Sequence, residues 1–121
     1  MSLLLVMAGG AIGSALRFLV GRAAPGLAGA GLPYGTLCVN LLGGLLMGVL
    51  AGLVARGLGE GWRLFAGVGV LGGFTTFSAF SLEVVELGQR APAAALGYAL
   101  LSVAGSVAAL ALGLQLARAA A

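Results

Sequence analysis

The chain has 121 residues, 61% of them hydrophobic and only 7% charged, with no Lys, His or Asp and a net charge of +3. Charged residues make up about a quarter of an ordinary soluble chain, so this composition excludes a water-soluble domain and predicts an integral membrane protein. With no histidine, a single cysteine (Cys38) and arginines that stand singly, it offers no metal-ligand cluster, no internal disulfide, no activated His or Cys nucleophile and no basic patch for nucleic acid, so an enzyme is not expected.

A spanning helix needs about 20 apolar residues, and four segments have that length: roughly residues 3–20, 34–54, 62–87 and 93–117. They predict an all-α, multi-pass protein of the cell inner (plasma) membrane, with residues 1–121 forming a single transmembrane domain. The first segment lacks a basic leader and is interrupted by Arg17, so it reads as a true span and not as a cleaved signal. Pro25, Pro33 and Pro92 fall in connections or just before a helix start, where the missing N–H costs nothing. The connections are short and Gly-rich, so neighbouring spans are expected to run antiparallel.

Span 1 carries Gly9, Gly13, Arg17 and Gly21 at intervals of four. Small residues at this spacing let helix backbones approach closely. An arginine within a span faces protein or water, or else snorkels to the interface; Arg17 is open to both readings. Span 2 repeats the pattern with Gly44, Gly48 and Gly52, and places Thr36 and Asn40 on one face. Span 4 has Gly97, Gly105 and Gly113 together with a polar row of Tyr98, Ser102 and Ser106.

Span 3 is different. The run Gly72-Gly73-Phe74-Thr75-Thr76-Phe77-Ser78-Ala79-Phe80-Ser81 lies in its middle, ahead of Glu83 and Glu86. In hydrocarbon every backbone N–H and C=O must find a partner within the protein, so irregular backbone survives only where it is buried or lines a wet cavity. The run therefore predicts a helix break near residues 72–76 that forms an ion or substrate site; the alternative is a Gly-rich packing face with hydroxyls bonded to the preceding turn. Thr36, Asn40, Thr76, Ser78, Tyr98, Ser102 and Ser106 are donors or weak acceptors, with no cation deep among them. That set suits a small, strongly hydrated anion, because conduction requires sites that are weak and multiple. Phe77 and Phe80 can add the positive edges of their rings, or be plain core. The two ends of the break offer orphan N–H groups on one side and freed carbonyls on the other. Carbonyl oxygens suit a hard monovalent cation such as Na⁺, which two symmetry-related breaks crossing at a dimer axis can share.

With four spans, Arg56, Arg63 and Arg118 lie on one side of the membrane and Arg17, Arg22 and Arg90 on the other. Orientation follows an excess of Lys and Arg in cytoplasmic loops, and here there is none. Four short helices are too few to enclose a pore, so a homodimer, antiparallel and of dual topology, is the smallest expected working unit.

The segments Gly9-Gly10-Ala11-Ile12-Gly13-Ser14-Ala15-Leu16-Arg17, Gly35-Thr36-Leu37-Cys38-Val39-Asn40 and Gly72–Glu83 resemble those of the Fluc/CrcB fluoride channels, in order and over essentially the whole chain. The resemblance implies a dual-topology dimer with two fluoride pathways and a structural Na⁺ at its centre, held by main-chain oxygens of Gly72 and Thr75. It places Asn40, Phe77 and Phe80 in the pore, Tyr98, Ser102 and Ser106 along a polar row, Thr36 and Glu83 beside the pathway, and Arg17 as a recurring arginine of the first span. The position between the two pore phenylalanines that often carries a second hydroxyl is Ala79 here. A small four-helix drug/proton antiporter is the alternative, but it requires a carboxylate deep in span 1, and there is none.

The balance of arginines is testable by charge. Appending several Lys after Arg118 is expected to force one orientation and abolish ion flux, and co-expression with an oppositely biased copy is expected to restore it. Full flux from one strongly biased variant alone would rule out the antiparallel pair.

Overall fold

The computed structural model describes residues 1–23 and 33–120. Its elements are α1 (Ser2–Ala23), α2 (Tyr34–Ala55), α3 (residues 60–74), α4 (Ser78–Arg90) and α5 (Pro92–Ala119). All four expected spans are present, with α3 and α4 forming the two halves of the third (Glu60–Arg90), and each is long and apolar enough to cross a membrane. The helices extend up to three residues beyond the expected ends, to 23, 55, 90 and 119. Pro92 opens α5 at its first turn and Pro33 immediately precedes α2. Pro25 lies outside the described residues.

The end of α2 explains the tight turn into the third span. Gly57 has φ +108°, a conformation that L side chains rarely adopt. It lets Leu58 N–H reach back to Leu53 O and Gly57 N–H to Val54 O, both at 3.0 Å, which satisfies the last carbonyls of the helix. Arg56 Nη1 then donates to Ala117 O at 2.7 Å and ties the end of α2 to the end of α5.

Within α3, residues Arg63–Leu71 wind as a π-helix between α-helical turns at Glu60–Trp62 and Gly72–Phe74. Such wide turns are rare and occur often at functional sites. The helix ends at Phe74, and the break occupies residues 75–77. The expected break began at Gly72, but both Gly72 and Gly73 are helical. What Gly73 provides is an approach to α1, since a Cβ on it would stand 2.7 Å from Gly10 O.

The glycine stripes are used mostly inside the chain. α1 lies along α3: Cβ atoms on Gly9 and Gly13 would run into Phe65 O and Val70 O, and one on Gly69 would stand 2.8 Å from Gly9 Cα. α2 lies along α5 in the same manner, with Gly44 against Ser106, Gly48 against Leu110 and Gly52 against Ala117. In both pairs the contacts advance in the same direction along the two helices, so each pair is parallel, as first-with-third and second-with-fourth spans must be. Gly21 and Gly97 have nothing within 4 Å of an added Cβ. A compact cluster of Phe80, Leu87, Ala95 and Tyr98 joins α4 to α5. Large apolar side chains elsewhere, such as Leu4, Val85 and Leu100, are exposed on the outer faces, as lipid-facing residues are. Trp62 is exposed at the start of the third span, with its ring edge-to-face against Phe65, where an amphipathic ring suits the interface.

Gly10 and Gly13 provide a matched test of the α1–α3 contact. Gly13→Ala is expected to destabilise the folded protein by about 1–3 kcal/mol, the usual range for overpacking. Gly10→Ala meets open space and is expected to be neutral or stabilising by up to about 1 kcal/mol through helix propensity. Thermal unfolding in detergent reads both, and equal midpoints would mean that the interlock is absent.

Candidate functional site: the break in the third span

The site starts where the helical ladder stops. Thr75 N–H makes the last bond, to Leu71 O at 3.0 Å, and the Thr75 hydroxyl folds back onto the same carbonyl at 3.0 Å. Thr75 itself is extended (φ −82°, ψ 159°). The next amide leaves the ladder: Thr76 N–H donates to Asn40 Oδ1 at 3.0 Å, while Asn40 Nδ2 donates to Thr76 O at 3.1 Å. The Thr76 hydroxyl accepts Ala79 N–H at 3.2 Å, which caps the first turn of α4. Its oxygen is also 3.4 Å from Ser78 Oγ. Ser81 closes the other side, its N–H and hydroxyl both donating to Phe77 O at 2.8 Å.

Two neighbouring helices reinforce this stretch. From α1, Arg17 Nε donates to Gly73 O at 3.3 Å, so its guanidinium turns toward the break and not only toward the interface. From α2, Gly43 leaves room for the Thr75 methyl, which a Cβ at that position would strike. Gly43 lies one turn after Asn40 on the same face, so one strip of α2 contacts both threonines of the break.

Glu83 organises a second cluster. Thr36 Oγ1 donates to its Oε2 at 3.0 Å and Tyr98 OH to its Oε1 at 3.3 Å, which joins α2, α4 and α5 through one carboxylate. Phe80 is buried and its ring centroid lies 5.4 Å from that of Tyr98 and 5.6 Å from that of Phe77. Phe77 sits at the break itself, before α4, and is 75% exposed. Ser102 is buried one turn after Tyr98. Glu86 is exposed.

These residues line two hollows. A groove of about 410 Å³ is bordered by Asn40, Thr75, Thr76, Phe77, Phe80, Ser102 and Ser106, with Met47, Val103, Val107 and Leu110 as apolar walls. A cavity of about 370 Å³ is lined by Arg17, Arg22, Thr36 and Thr76. Thr76 belongs to both. Thus Asn40, Phe77, Phe80, Thr76, Ser102 and Ser106 come together at one groove, with Ser78 adjoining through Thr76. Thr36, Glu83 and Tyr98 form the neighbouring cluster, and Gly72 lies one turn upstream of the break.

Sequence reasoning did not single out Gly43 or the π-helical turns, and it named Ser81 only as the end of the broken run. Gly43 was within reach, because it lies three residues after Asn40 and so shares its face. Ser81 follows Phe77 by four, the spacing of a hydroxyl that bonds back to the preceding turn. Nothing in the residues 63–71 marks a change in helical pitch.

Four apolar spans, the third broken midway and stitched by side chains of its neighbours, define a small multi-pass membrane protein with a polar site at a discontinuous helix. The chain belongs to the family described as "CrcB-like protein, Camphor Resistance (CrcB)", whose pattern matches residues 4–114. Among similar proteins, the "Fluoride-specific ion channel FluC" of Phenylobacterium zucineum is 56% identical over 121 residues, covering 97% of this chain and 95% of that protein. The protein of the same name from a Caulobacter species is 57% identical over 120 residues, covering 96% and 94% of the two chains. That of Mesorhizobium japonicum is 48% identical over 119 residues, covering 97% and 96%.

The fit of Gly43 to Thr75 can be tested by a double substitution. Gly43→Ala is expected to destabilise the fold by about 1–3 kcal/mol. Thr75→Ser removes the opposing methyl while keeping the hydroxyl bond to Leu71, so the double variant is expected to recover most of that loss. Additive effects of the two changes in thermal unfolding would show that they do not touch.

Proposed function

We propose that this protein is a fluoride-selective channel that lets fluoride leave the cytoplasm, and that its working unit is an antiparallel homodimer of dual topology. The observation that carries the reading is the groove at the break. Its polar wall includes Asn40, Thr75, Thr76, Ser102 and Ser106, all of which carry N–H or O–H donors, and no cationic side chain among the described residues lines it. Fluoride is the smallest and most strongly hydrated halide. Its lost water must be replaced by several donors at short range, which a fixed lysine or arginine would supply too strongly for release. The rings of Phe77 and Phe80 add positive edges beside those donors. Arg17 and Arg22 line the adjoining cavity, where they raise the local concentration of anions without lining the groove itself. The names of the relatives point the same way.

Several features favour the dimer. Phe77 is largely exposed at the middle of a span, beside the hydroxyls of Thr76 and Ser78. Polar backbone and hydroxyl groups facing lipid at that depth are costly, and a second copy over the groove would cover them. With three arginines on each side, the sequence gives the two orientations similar weight.

A Na⁺ at the dimer centre fits the donor set. Gly72 and Thr75 would hold it through main-chain oxygens, the hard neutral ligands that suit this ion. Thr75 is extended at the end of a half-helix, where carbonyls leave the ladder. Gly72 is exposed, and an added Cβ would meet only Gly67 O, at 3.6 Å. When bound, the cation supplies a positive charge that ties two breaks together. Thr36, Tyr98 and Glu83 hold α2, α4 and α5 in register beside the groove. Arg17 braces the end of α3 through Gly73 O.

Efflux from liposomes tests the reading. Vesicles loaded with fluoride are expected to empty when protein and a potassium ionophore are present, and chloride-loaded vesicles to retain their load. Phe77→Ile keeps bulk but removes the ring edge, so flux is expected to fall about tenfold or more while the dimer persists on gel filtration. Chloride efflux at a comparable rate would overturn the selectivity, and unchanged flux in Phe77→Ile would make the ring a packing residue.

A further inference from the structure

We infer that Asn40 is a positioning residue that holds the third span open, by taking up both backbone groups of Thr76 and so keeping the Gly72 carbonyl out of the helical ladder. In an α-helix each N–H bonds the carbonyl four residues earlier. Thr75 N–H follows that rule onto Leu71 O. By the same rule Thr76 N–H belongs to Gly72 O, but it is received by Asn40 Oδ1 at 3.0 Å. The other end of the same amide donates to Thr76 O at 3.1 Å. The N–H and C=O of Thr76 both meet the Asn40 side chain, the pattern of a hydrogen-bonded pair between antiparallel strands, and a side-chain amide has one acceptor and one donor at matching spacing. Asn40 therefore stands in for a neighbouring strand one residue long.

Each alternative partner fails for a physical reason. Water in the groove can bond one backbone group of Thr76 at a time but does not hold both at a fixed spacing, and an unsatisfied backbone group at that depth costs several kcal/mol. Without Asn40, the cheapest repair is for Thr76 to rejoin the helix, which would return its N–H to Gly72 O and straighten the span. The Thr75 methyl seated over Gly43 and the Thr76 hydroxyl capping Ala79 bias the break, but neither satisfies Thr76 N–H or Thr76 O. Among the described residues, the Asn40 amide alone bonds both. The amide has two N–H groups; one is committed to Thr76 O, and the second is free to serve the groove that Asn40 also lines. This inference rests on the geometry of the break and not on which ion crosses it.

The chain has only three threonines, Thr36, Thr75 and Thr76, so selective ¹⁵N-threonine labelling gives one resolvable amide for each side of the break. In the unaltered protein, reconstituted in bilayers or detergent, Thr76 N–H is expected to exchange with solvent as slowly as Thr75 N–H. Exchange of Thr76 at the rate of a free peptide would overturn the inference without any variant. Asn40→Leu keeps the volume and removes both bonds; it is expected to change Thr76 protection by about tenfold or more, or to shift its resonance to the helical range if the ladder re-forms, with Thr75 little affected. Asn40→Asp retains an acceptor for Thr76 N–H and loses the donor, so Thr76 protection is expected to persist while flux is lost. Fluoride flux lost in Asn40→Leu with the Thr76 resonance and exchange unchanged would show that Asn40 acts on the ion alone. An altered Thr76 amide with normal flux would show that the break needs no holding. If the unaltered protein passed no fluoride, the channel reading would fail while the exchange results still decided the role of Asn40.

Discussion

A backbone amide without a partner costs several kcal/mol in hydrocarbon, and this cost governs the third span. A helix interrupted at residues 75–77 exposes a short set of N–H and C=O groups midway through the membrane. Each documented partner comes from a different source: Leu71 O receives the Thr75 amide and hydroxyl, the Asn40 amide takes both groups of Thr76, and Ser81 reaches Phe77 O. Arg17 adds a bond to Gly73 O from the first span. All of these bonds join segments of one chain.

That stitching requires helices in close and fixed register. Asn40 and Gly43 reach Thr75 and Thr76 only because α2 is held against α5 through Gly44, Gly48 and Gly52, and Arg17 reaches Gly73 only because Gly9 and Gly13 bring α1 onto the backbone of α3. The glycine stripes are therefore part of the site at a distance. They account for part of the chain's 23 glycines, kept despite their helix-weakening tendency. Glu83 extends the same logic, with hydroxyls from α2 and α5 converging on one carboxylate of α4.

Much of this was legible in the residues. Apolar length located the four spans, and the Thr36/Asn40 and Tyr98/Ser102/Ser106 spacings placed polar side chains on common faces. The Gly-Gly-Phe-Thr-Thr run announced a discontinuity but put it a few residues too early, because glycine signals both a break and a close helix contact, and here Gly73 serves the contact. The stripes suggested close packing without saying against what; they proved to pair first with third and second with fourth spans. The bond from Arg17 to Gly73 O, the seat of the Thr75 methyl on Gly43 and the reach of Tyr98 to Glu83 depend on register between spans, which spacing within a span does not encode. The π-helical pitch of Arg63–Leu71 has no counterpart in the residue pattern of that stretch.

The account makes the break a wet, donor-lined place at mid-membrane and not a dry packing face. Magic-angle-spinning NMR in bilayers, edited for magnetisation that starts on water, measures this residue by residue. Rapid transfer is expected from water to the hydroxyl side chains of Thr76 and Ser106, which line the groove, while the Thr76 backbone amide stays protected, and little or none to Val85 and Leu100, which are exposed on outer faces. Thr76 and Ser106 side chains as dry as those outer residues would contradict it.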